Sequence, residues 1–147
     1  MIFRDLIRDL SERLGLAEAI AVDKEDRFSF EVDGTDVMVQ GMDESSSLAM
    51  LADVGSPPPE RLEALYLELL KANHLLKGTK GAVLSVDPET LAVTLCRILP
   101  LGELTAEGLE GEIGRFVSVL LDWRKKVGEF RADETPAEPA SGDFLRV

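Results

Sequence analysis

Residues 28–39 read Phe28-Ser29-Phe30-Glu31-Val32-Asp33-Gly34-Thr35-Asp36-Val37-Met38-Val39. Apolar and polar side chains alternate before Asp33 and again after Gly34, the period of a half-buried strand. Asp-Gly between two such runs is a hairpin signal, because both residues tolerate the positive φ of a type I′ turn. The register sets Val32 opposite Thr35, Phe30 opposite Val37 and Phe28 opposite Val39, all on one face. On the other face Glu31 meets Asp36. Like charges directly opposite repel, so the Glu31 side is expected to be exposed.

On the amino-terminal side of this hairpin, Phe3, Leu6, Ile7, Leu10 and Leu14 keep helical spacing, with Arg4, Asp5, Arg8 and Asp9 elsewhere on the wheel. Gly15 follows where a helix end favours a left-handed residue. Beyond the hairpin, a third strand is expected from Ser45 to Val54, with Leu48, Met50, Ala52 and Val54 on one side. Gly55-Ser56-Pro57-Pro58-Pro59 breaks it, and proline suits a first helical turn, so a second helix is expected from Pro58 or Pro59. Its stripe is Leu62, Leu65, Tyr66, Leu69, Ala72 and Leu76, widened by Leu67, Leu70 and His74. After the loop Lys77 to Gly81, strands are expected at Ala82–Val86 and Leu91–Ile98, joined by Asp87-Pro88-Glu89-Thr90. Leu99-Pro100-Leu101-Gly102 closes the pair.

Thr105 is an N-cap candidate for a third helix reaching Val127, with Gly128 beyond it. Leu109, Ile113, Phe116, Val117, Leu120 and Val127 line that helix. Glu107, Glu110 and Glu112 lie early and Arg124, Lys125 and Lys126 late, in accord with the helix dipole. Residues 132–147, rich in Ala, Pro, Glu and Asp, are expected to be a flexible C-terminal tail on a single domain of residues 1–131. The order α-β-β-β-α-β-β-α defines an α+β fold, an antiparallel sheet with three helices.

A chain of 147 residues is sized for one domain. Sixteen Lys and Arg against 28 Asp and Glu leave a net charge of -12, which disfavours nucleic acid and anionic membranes alike as partners. The single cysteine, Cys96, cannot form an internal disulfide. Met1-Ile2-Phe3-Arg4-Asp5-Leu6 reads as neither signal peptide nor membrane span, so a cytoplasmic location is expected.

The chemistry-bearing residues are sparse. His74 has no nucleophile or carboxylate nearby in sequence, and base catalysis needs positioned partners, so it reads as a surface or interface residue. Cys96 sits in an apolar strand as a small hydrophobe. One His and one Cys do not make a zinc site, and Gly78-Thr79-Lys80-Gly81 lacks P-loop spacing. The expectation is a protein with no enzymatic activity, no cofactor and no metal. Interaction chemistry remains. The apolar hairpin face, with Phe3, Leu6 and Leu10 as neighbours, belongs either to a partner groove fed by β-augmentation or to the core. The surplus apolar arc of the second helix points to an intersubunit contact.

Between residues 69 and 127 the chain resembles type III secretion chaperones of the Tir chaperone (CesT-like) family. The resemblance is carried by Leu70, Ala72 and Asn73, by Gly81, Leu84 and Asp87, by Leu95 and Leu99-Pro100-Leu101, and by Leu109, Phe116 and Trp123. It implies a cytoplasmic homodimer that binds the N-terminal region of a secreted effector in extended form and keeps it export-competent, with a secretion ATPase as a further partner. It implies effector contacts at Phe3, Leu6, Leu10, Phe28, Phe30, Val37, Val39, Leu48 and Met50. It also implies dimer contacts at Leu62, Tyr66, Leu67, Leu70, Asn73 and His74. The alternative is a YbjN-like regulatory or stress-related binding module with no secretion role.

Overall fold

The computed structural model describes residues 2–132. Strands β1 (Arg27–Val32) and β2 (Thr35–Met42) form the hairpin in the register that alternation requires, Val32 opposite Thr35, Phe30 opposite Val37 and Phe28 opposite Val39. Asp33 (φ 47°) and Gly34 (φ 78°) both take the left-handed backbone of a type I′ turn. Strands β3 (Ser47–Gly55), β4 (Val83–Val86) and β5 (Val93–Pro100) complete an antiparallel sheet of order β1-β2-β3-β5-β4. The helices are α1 (Ile2–Arg13), α2 (Leu62–Asn73) and α3 (Ala106–Ala132). The Gly108 N–H donates to Thr105 Oγ1 at 3.0 Å, so Thr105 caps α3 as its sequence position predicts.

Several boundaries differ from the sequence expectation, each for a local reason. Ser45 ends a 3-10 turn that starts at Asp43, and Ser46 is left-handed (φ 48°), so β3 starts at Ser47. The second helix opens as a 3-10 turn at Pro59–Arg61 and ends at Asn73 rather than Leu76. Leu75 and Leu76 turn left-handed (both φ 55°), and the Gly78 N–H reaches back to the Ala72 carbonyl at 3.0 Å. Strand β5 starts at Val93 because Leu91 (φ 63°) belongs to the preceding turn, its N–H on the Asp87 carbonyl at 2.7 Å. Helix α3 runs through Gly128 to Ala132; an exposed glycine inside a helix costs only about 1 kcal/mol. Beyond Ala132, the expected tail lies outside the described residues.

One face of the sheet packs beneath α1 and α3. Phe28, Val37, Val39, Leu48, Met50, Val93 and Leu95 meet Phe3, Leu6, Ile7 and Leu10 of α1 and Leu109, Phe116, Leu120 and Val127 of α3. Each fully buried side chain of this size contributes about 1.5–3 kcal/mol. Gly41 is required here, because a Cβ at that position would stand 2.5 Å from the Phe3 ring. The opposite face carries a different row: Met38, Leu51, Cys96 and Val83 stand side by side across β2, β3, β5 and β4.

Candidate functional interface

The two edges of the sheet end differently. At the β4 edge, α2 closes the backbone: Asn73 Nδ2 donates to the Leu84 carbonyl at 2.8 Å, and the Leu84 N–H donates to Asn73 Oδ1 at 2.9 Å. A side-chain amide thereby takes the place of a neighbouring strand.

At the β1 edge the backbone is open over a short window. A two-residue hairpin turn makes Val32–Thr35 a hydrogen-bonded pair, and pairs of that kind alternate along an antiparallel ladder. Phe30 and Phe28 therefore bond inward, while Arg27, Ser29 and Glu31 direct N–H and C=O outward. Asp23 closes the outward groups of Arg27, accepting its N–H on Oδ1 and donating to its carbonyl, both at 2.9 Å. Burial pushes the Asp23 carboxyl pKa up. The N–H groups of Arg27 and Glu25 and the Arg27 guanidinium outweigh that push and hold it below the usual carboxylate value. At the far end, Arg124 Nη1 donates to the Asp33 carbonyl at 3.0 Å. Ser29 and Glu31 lie between these stoppers, exposed, with outward N–H and C=O groups that have no partner among the described residues.

Most residues that the resemblance placed in an effector groove lie deeper. Phe3, Leu6, Leu10, Phe28, Val37, Val39, Leu48 and Met50 are buried in the core beneath the sheet, and only Phe30 is half-buried. Alternation identified a common face but not the helices that cover it. Phe30 and Val32, with Ile20 and Val22 from the segment before β1, form the half-buried margin of that core. Ile20 and Val22 carried no periodic signal. Their place follows from Ser11, whose Oγ accepts the Ile20 N–H at 2.9 Å while donating to the Ile7 carbonyl at 3.0 Å.

The expected dimer residues also separate. Leu62, Tyr66 and Leu67 are half-buried, Asn73 is engaged with β4, and His74 is exposed. Leu70 is 68% exposed and Leu75, in the left-handed turn, 71% exposed. Val83 and Ile98, also exposed, add apolar surface on the far face of the sheet. Cys96 lies half-buried on that face, and burial raises its thiol pKa, the reverse of nucleophile activation.

A cavity of about 760 Å³ opens between α2 and α3, lined by Leu65, Ala72, Trp123 and Phe130, with Arg61 and Lys126 among its polar residues. The Arg61 guanidinium stands 4.5 Å from the Phe130 centroid and the Lys126 ammonium 4.5 Å from that of Trp123. Trp123 Nε1 donates to the Gly78 carbonyl at 3.2 Å, tying α3 to the loop after α2. Among the described residues no group of three His, Cys, Asp or Glu could hold a metal ion, and no helix is long and apolar enough to cross a membrane.

An open strand edge with an apolar margin, together with exposed leucines at the end of α2, is the equipment of a protein-binding module. The chain belongs to the Tir chaperone protein (CesT) family, whose profile matches residues 5–124. Among curated proteins none matches it. Solved structures share the fold. The HopA1-SchA chaperone-effector complex aligns with a TM-score of 0.69 at 17% identity, over 84% of this chain and 94% of that one. The ExsC-ExsE complex aligns at 0.69 with 21% identity, over 86% and 92%. YbjN from E. coli, described as a putative transcription regulator, aligns at 0.63 with 15% identity, over 86% and 91%.

Proposed function

We propose that this protein is a cytoplasmic type III secretion chaperone, without enzymatic activity, acting as a homodimer. It binds the N-terminal region of a secreted effector in extended form, keeps that region export-competent and hands it to a secretion ATPase. Family membership supports the class. The observation that carries the reading for this chain is the β1 edge. Backbone groups at Ser29 and Glu31 that are unpaired among the described residues, beside the half-buried Phe30 and Val32, suit an incoming strand that brings backbone hydrogen bonds and alternate apolar side chains. The effector candidates named from the resemblance then support this edge from beneath, with Phe30 as the one partly accessible contact.

The test is co-purification from the native host followed by mass spectrometry, with the captured protein then truncated at its N-terminus. A secreted protein whose binding is lost with that region supports the reading. Ser29→Pro sharpens it, because proline removes only an outward N–H and edge strands tolerate it there. The variant should melt near the wild type yet lose the effector. The fold likeness to YbjN favours a second reading, a regulatory or stress-related binding module. Capture of a partner that is never exported would select that reading.

A further inference from the structure

The face of the sheet turned away from α1 and α3 carries an uncompensated charge row that ends at the open edge. Glu31 stands directly opposite Asp36, and Asp53 on β3 falls one step beyond the Val37–Ala52 pair, in line with both. All three are exposed and have no ion-pair partner among the described residues. Like charges across adjacent strands destabilise a sheet, and here nothing within it offsets them. Arg124 of α3 donates to the Asp33 carbonyl at the turn. A strand added to β1 would place one residue directly opposite Glu31 on the same face, whether it ran parallel or antiparallel. That residue would be the fourth member of the row.

We propose that the strand accepted at the β1 edge carries Lys or Arg on this face, beside Glu31, and alternating apolar residues on the other, beside Phe30. This rests on the reading of β1 as the binding edge. It adds to that reading the chemistry of the partner: an alternating apolar and basic segment, selected by Glu31 with Asp36 and Asp53 behind it. A second copy of this chain, at a net charge of -12, is a poor occupant of such an edge.

Three dye-labelled peptides test it by fluorescence anisotropy: acetyl-Val-Thr-Val-X-Val-Thr-Val-amide, with X as Lys, Ser or Glu. The expected order of affinity is Lys, then Ser, then Glu, each step about three-fold, the size of a cross-strand charge pair. The preference should shrink as salt is raised. Glu31→Lys should reverse the order and still fold, because it turns a like-charged pair with Asp36 into an opposite one. Glu89→Lys, at the turn between β4 and β5, should leave the order unchanged. Equal binding of all three peptides would overturn the proposal while leaving the binding edge intact. A preference that Glu89→Lys erodes as much as Glu31→Lys would reduce it to general attraction by an acidic protein. Failure of every peptide to bind would remove the edge reading and this proposal together.

Discussion

Asn73 presents its carboxamide to Leu84 much as another strand would, and Asp23 does the same for Arg27 at the other edge. Each side chain satisfies one outward N–H and C=O pair, except that Asp23 uses its own backbone N–H for the carbonyl. Asn73→Ala should therefore leave both Leu84 groups unpaired, at a cost of about 1–3 kcal/mol in urea unfolding, with some loss of solubility from a bared edge. Asp23 adds a pH dependence whose sign is fixed. Its carboxyl is held below the usual value, so its contribution is present above that value and disappears as pH falls through the lowered one. The difference in melting temperature between wild type and Asp23→Asn should persist at neutral pH and narrow below about pH 4. Neither role was legible in the sequence. The resemblance implies a dimer contact for Asn73, and its partner on β4 is brought to it only by the fold.

At the scale of elements, the turn and register of the β1–β2 hairpin were legible, because strand period and turn chemistry are both local. The C-terminal ends of α2 and α3 were not. Nothing in Ala72-Asn73-His74-Leu75-Leu76 announces that Leu75 and Leu76 leave the helix in a left-handed turn, since leucine ordinarily avoids it. Gly128 signalled a stop but is simply passed by α3. Burial was the larger gap: the period-2 pattern grouped Phe28, Val37, Val39, Leu48 and Met50 correctly on one face, but which face α1 covers is a tertiary fact. The contact of α1 with β2 can be tested through Gly41. In Gly41→Ala the new methyl meets the Phe3 ring, and the helix must shift to admit it. Overpacking of this kind should destabilise by about 1–3 kcal/mol, with an unchanged hairpin register by NMR. Ala at 41 with wild-type stability would mean α1 is not seated as described.

For the whole molecule, charge and apolar surface act against each other. Each chain carries -12, so two copies repel, yet Leu70 and Leu75 leave large apolar side chains in water at the end of α2. If these leucines pair across a two-fold axis, as the proposed homodimer requires, light scattering on a sizing column should return about 32 kDa, twice the 16.1 kDa chain. Raising salt should then strengthen the dimer, because screening weakens the repulsion while leaving apolar burial in place. Leu70→Asp separates interface from fold. At 68% exposure Leu70 contributes little to the protomer core, so the variant should keep its melting profile when monomeric. In a dimer the same aspartate would be buried without a partner, a penalty large enough to dissociate it at micromolar concentration. A wild-type chain eluting as a monomer at every salt concentration would end the homodimer, and the exposed leucines would then belong to a different protein's interface.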